Sequence, residues 1–123
     1  MAPIFYAKYP ISRSPLEFLR HIQDELDFLD RYRALPDLAD LVANPEATRA
    51  VLHSLFIIGE AVKNVPVDWR ERYDQVPWRN MARMRDKTVH HYFDVNYPIA
   101  WNVLQNELGP LRQTVELMLR ELN

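Results

Sequence analysis

The stretch NPEATRAVLHSLFIIGEAVKNV, residues 44–65, carries a broad apolar stripe at helical spacing. Asn44-Pro45 pairs a side chain suited to capping a helix with a proline suited to its first turn. Val51, Leu55, Ile58, Ala61 or Val62, and Val65 then recur at three- and four-residue spacing, the signature of an amphipathic helix running to about Val65. Leu52, Phe56 and Ile57 widen the stripe beyond what one neighbour would cover, so this helix is either central in a bundle or also buried against another subunit. Gly59 interrupts it at a cost of up to about 1 kcal/mol relative to Ala, which suggests a close helix contact or a neutral accident. His53 reads as an exposed or satisfied histidine rather than a ligand.

The same grammar extends outward in both directions. Toward the N terminus, Ser14-Pro15-Leu16-Glu17 predicts a helix start with a capping box, followed by Leu16, Leu19, Ile22 or Gln23, Leu26 and Leu29 on one face of a helix of about 18 to 20 residues. Pro36 ends it, and Asp37 to Ala43 reads as a short helical connector. Toward the C terminus, Pro66 closes the central helix and Asp68 is expected to cap a single turn through Tyr73. Pro77-Trp78 opens a third helix, predicted to continue through Met81 and Met84 to His90 or beyond. Asn96 or Tyr97 with Pro98 begins a last helical stretch carrying Trp101, Leu104 and Leu108, which Gly109-Pro110 is expected to break or kink. Leu111, Val115, Leu117 or Met118, and Leu122 continue the apolar face. No alternating strand pattern stands out. The reading is an all-α bundle of four to five helices, with residues 1–13 an N-terminal extension and 14–123 a single domain.

Composition sets outer limits. With 123 residues, 48% apolar and 26% charged, the chain is long enough for one core and too apolar for disorder. Without cysteine it has no thiolate nucleophile, disulfide or Cys-ligated zinc. Met1 to Ile11 is apolar and aromatic, but Lys8 and Pro10 interrupt it, making it a poor signal peptide. No apolar run reaches the roughly 20 residues of a membrane span, so the expectation is a cytoplasmic protein with no membrane partner. The net charge of −2 is a poor polyanion magnet, yet it is unevenly spread. Between Trp69 and His91, six basic residues outnumber Glu71, Asp74 and Asp86. A solvated helix face explains such a run, and so does a surface for nucleic acid, on which Arg79, Arg83, Lys87 and His91 would lie.

Chemistry concentrates in Arg85-Asp86-Lys87-Thr88-Val89-His90-His91-Tyr92. Arg is a permanent cation whose planar donors match phosphate oxygens, and His titrates near neutral pH. On an unbroken helix Arg85 and His90 diverge by roughly 140°, whereas Asp86 and His90 share a face. Convergence of Arg85 and His90 at one phosphate therefore needs a helix distortion near His90, a long reach by Arg85, or a second subunit. A metal hydrolase lacks ligands, because adjacent His90 and His91 would point apart on a helix and no His-Glu-x-x-His arrangement exists.

This pattern resembles the HEPN superfamily, and within it the HepT-like toxins of toxin–antitoxin pairs. Arg85-Asp86-Lys87-Thr88-Val89-His90 matches an Arg, a polar residue, three more, then His; Tyr92 matches the tyrosine two residues beyond. Ile58-Gly59-Glu60-Ala61, Val76-Pro77-Trp78, Tyr92-Phe93-Asp94-Val95 and Trp101 extend the likeness over residues 15 to 121. The resemblance implies a HEPN-type bundle and a metal-independent endoribonuclease without cofactor, working as a homodimer on an RNA substrate. Arg85, Asp86 and His90 would be catalytic: His90 as acid or base, Arg85 as the stabiliser of phosphorane charge, Asp86 as orienter. Relatives often carry Asn where Asp86 stands. The resemblance further implies an antitoxin partner, a minimal nucleotidyltransferase that transfers AMP to Tyr92; the plain alternative for Tyr92 is packing at a helix end. A second functional class is a noncatalytic helical partner or substrate-binding subunit of a nucleotidyltransferase, built on the same basic motif and wide apolar stripe.

Overall fold

The computed structural model describes residues 14–91 and 94–123, with the side chains of 84–94 excepted. The expected N-terminal extension and Tyr92 therefore lie outside the described residues. Helix α1 spans Pro15–Arg33, α2 Leu38–Val42, α3 Pro45–Lys63, α4 Val67–Arg72 and α5 Trp78–Thr88. Strands β1 (Val89–His91) and β2 (Asp94–Val95) follow, then α6 (Tyr97–Asn102), a π turn over Val103–Glu107, and α7 (Leu108–Leu122). Among the described residues the two-strand ribbon is the sole extended element, and the fold class is all-α.

Side-chain caps start three of the helices. Asn44 accepts from Ala47 N at 3.0 Å, Asp37 from Asp40 N at 3.1 Å, and Asn96 from Ile99 N at 3.1 Å. Each satisfies an amide that has no partner within its own helix. Two predicted caps do not form. Ser14 makes no side-chain cap, and Glu17 pairs instead with Arg20 at 3.1 Å, so the capping box is absent. Pro66, not Asp68, stands at the head of α4, leaving Asp68 inside its first turn.

Helix α3 is the centre of the bundle, packed against α1, α2 and α5. Val51, Leu55, Ile58 and Val62 are fully buried, with Leu19, Ile22, Leu26 and Leu29 of α1 and Leu104, Leu108, Leu111, Val115 and Met118 completing the core. Gly59 is buried within it. The three neighbours cover the central row of α3, whereas of the residues that widen its stripe Leu52 and Ile57 are half-buried and Phe56 is 44% exposed. Ser54 donates to Glu25 at 2.8 Å across the α1–α3 contact, giving a polar partner to a side chain that is 1% exposed.

The C-terminal arm departs from expectation. Residues 97–122 run as one continuous helical stretch, and Gly109-Pro110 does not break it. The π turn resets the hydrogen-bond ladder, so Pro110 falls in the first turn of α7, where a missing N–H leaves no bond unmade. Gln105 in that turn donates to the Arg33 carbonyl at 3.0 Å, satisfying an end of α1.

Candidate active site

Helix α5 does not reach His90. It ends at Thr88, and His90 lies in β1. Thr88 and Val89 are stiff at χ1 and His is a weak helix former, so the run from 88 to 91 has little reason to stay helical once extended pairing is on offer. Asp86 and His90 are consequently not neighbours on a helix face, contrary to the sequence expectation. The backbone does carry a distortion just ahead of His90, where the helix gives way to β1.

The distortion has a defined form. Val89 pairs with Val95 and His91 with Asp94, a step of two residues on β1 against one on β2. His90 is the extra residue, a bulge in the ribbon. A bulge bends its strand and changes the direction in which the residues around it project, which is why such irregularities suit catalytic positions.

Arg85 lies within helix α5. Trp78 and Met81, 5% and 1% exposed, make a buried row of α5, which packs against α3. Positions 79, 83 and 87 form a second row, and in it Arg79 and Arg83 are exposed. Asp86 falls next to that second row. The side chains of Arg85, Asp86, Lys87, His90 and His91 lie outside the described residues. Among the described residues, no three His, Asp or Glu side chains gather into a metal-binding cluster.

The start of α5 is fixed by contacts that sequence reading missed. Trp78 Nε1 donates to the Tyr73 carbonyl at 2.8 Å, and Tyr73 Oη donates to Glu121 of α7 at 2.8 Å. The hydrogen bond to the Glu121 carboxylate, helped by burial, raises the Tyr73 phenol above its ordinary value of 10.0, with Arg72 opposing. A partner 48 residues away leaves no local signal. The far end of the site is held by the Asn96 cap immediately after β2 and by the packing of α6 on α5 and α2.

Residues 22–118 match the family model described as "Ribonuclease HepT-like", and the chain belongs to the HepT-like family of the HEPN superfamily. A candidate RNase of Caldanaerobacter subterraneus subsp. tengcongensis is 43% identical over 110 residues, covering 89% of this chain and 97% of the relative. A candidate RNase of Methanocaldococcus jannaschii is 36% identical over 106 residues, 86% of this chain and 84% of the relative. A candidate ribonuclease HepT of Thermococcus cleftensis is 32% identical over 106 residues, 86% of this chain and 96% of the relative. No solved structure matches. No described helix is long and apolar enough to cross a membrane.

Proposed function

We propose that this chain is a metal-independent endoribonuclease, the toxin of a toxin–antitoxin pair, acting in the cytoplasm as a homodimer through one domain over residues 14–123. The observation that carries the reading is the position of His90 at the bulge, just past the end of the helix that bears Arg85, in a chain of the HepT-like family. His90 removes the proton from a ribose 2′-hydroxyl, whose oxygen attacks the adjacent phosphorus as the bond to the 5′-oxygen breaks. The leaving 5′-oxygen takes a proton from an imidazolium or from water. Arg85 stabilises the charge that accumulates on the phosphoryl oxygens, and Asp86 orients the pair. Arg79, Arg83, Lys87 and His91 hold the RNA backbone, the exposed row of Arg79 and Arg83 supporting this.

Regulation belongs to Tyr92. In the partner nucleotidyltransferase, the Tyr92 phenolic oxygen attacks the α-phosphorus of ATP and pyrophosphate leaves. The attached AMP adds negative charge and bulk beside Arg85 and His90, and RNA is repelled.

Purified protein in excess EDTA is expected to cleave RNA, and His90→Ala to lower the rate by about 100-fold or more. Undiminished cleavage by His90→Ala, with its fold intact by circular dichroism, overturns the mechanism.

A further inference from the structure

A cavity of about 530 Å³ opens between the start of α3 and the β2–α6 junction, walled by Pro45, Thr48, Arg49, Leu52, Val95 and Tyr97. Its volume lies within the range of about 300–1,000 Å³ over which small-molecule pockets are found. Two features separate it from the other described cavities. The first is charge. A cavity of about 740 Å³ beside α1 and α7 sets Glu17, Asp24 and Glu116 against Arg20 and Arg120, and one of about 500 Å³ beside α4 and α5 sets Glu71 and Asp74 against Arg70 and Arg79. The third has Arg49 as the one charged residue among the described residues that line it. The second is place. Val95 in its wall pairs with Val89, the residue before His90.

Its donors and surfaces suit a nucleotide. The Thr48 hydroxyl is already committed to the Leu41 carbonyl at 2.8 Å, which leaves the Arg49 guanidinium and the Tyr97 phenol as the polar side chains that can address a ligand. Arg49 is exposed and Tyr97 half-buried. A cation beside an aromatic ring and two aliphatic walls, Leu52 and Val95, provides a phosphate contact together with a face for a base. The shape is also anchored at both ends, by the Asn44 cap under Arg49 and the Asn96 cap beside Tyr97.

We propose that this cavity is a substrate subsite: it takes a nucleotide of the single-stranded RNA next to the scissile phosphate, with its phosphate on Arg49 and its base against Tyr97. The inference rests on the ribonuclease reading and extends it to residues outside the Arg85–His90 motif.

The test uses the full chain, an uncleavable 2′-O-methylated RNA of about ten nucleotides, and cleavage of the corresponding natural RNA. Arg49→Gln is expected to weaken binding about tenfold and to reduce the magnitude of the salt slope by about 0.7. Tyr97→Ala is expected to weaken binding about tenfold, while Tyr97→Phe keeps the affinity, because stacking needs the ring and not the hydroxyl. In cleavage the first two variants raise KM more than they lower kcat. Unchanged affinity in both Arg49→Gln and Tyr97→Ala, each folded by circular dichroism, overturns the subsite. If the wild type binds the analogue and never cleaves the natural RNA, the catalytic reading has failed; the binding arm still decides the cavity.

Discussion

His90 owes its position to its neighbours more than to itself: Thr88 and Val89 end the helix, and the mismatch against Asp94–Val95 leaves His90 as the bulge. Arg85 stays on helix α5. The two residues thus sit on different kinds of backbone, one helix and one ribbon. Replacement of Arg85 by Lys keeps the charge but loses the planar fork, and is expected to lower kcat by about 100-fold with the fold unchanged in thermal melts. Tyr73 offers a test away from the site. Its phenol is raised above 10.0 in the folded chain, so the stability from its bond to Glu121 is fully present below pH 10 and is lost as pH rises through the folded value. Tyr73→Phe is expected to lose that stability at neutral pH and to flatten the alkaline end of the Tm–pH curve; an unchanged curve removes the bond from the account.

At the scale of elements, the helix starts were the most legible feature, because a cap is local. Asn44-Pro45 and Asn96 with Pro98 stand where the sequence puts them, and Asn44→Ala is expected to cost about 1 kcal/mol in denaturant melts. Helix ends were less legible. Propensity differences between helix and strand at Thr88-Val89-His90 amount to roughly 0.5 kcal/mol per residue, too little to place an end when the opposing strand comes from Asp94–Val95. Likewise Pro110 reads as a break until the π turn moves it to the first turn of α7, and no local pattern announces that turn. The ribbon can be challenged directly. Thr88→Ala with Val89→Ala favours continued helix, and is expected to raise helical ellipticity while lowering cleavage about tenfold or more. Full activity with longer helix would show that the bulge is dispensable.

For the whole molecule, one helix organises the rest, whereas its stripe in the sequence left open a central place or burial against a second subunit. α3 is flanked by α1, α2 and α5, so Leu55→Ala, at 0% exposure, is expected to cost about 3 kcal/mol. The polar ties across the bundle were not legible. Ser54–Glu25, Gln105–Arg33 and Arg112, which meets Asp27 at 2.7 Å and Asp30 at 3.0 Å, join residues far apart in sequence. Asp86 and His90 read as sharing a helix face, whereas His90 lies in the ribbon, the sole extended element among the described residues. Sedimentation at micromolar concentration is expected to give a dimer, and a monomer with full activity would show that no shared cleft is needed. Which oxygen attacks phosphorus decides which ends the cleaved RNA carries. In EDTA, cleaved RNA is expected to carry 2′,3′-cyclic phosphate and 5′-hydroxyl termini, the result of 2′-oxygen attack assisted by His90 and Arg85. Products with 3′-hydroxyl and 5′-phosphate ends would contradict it.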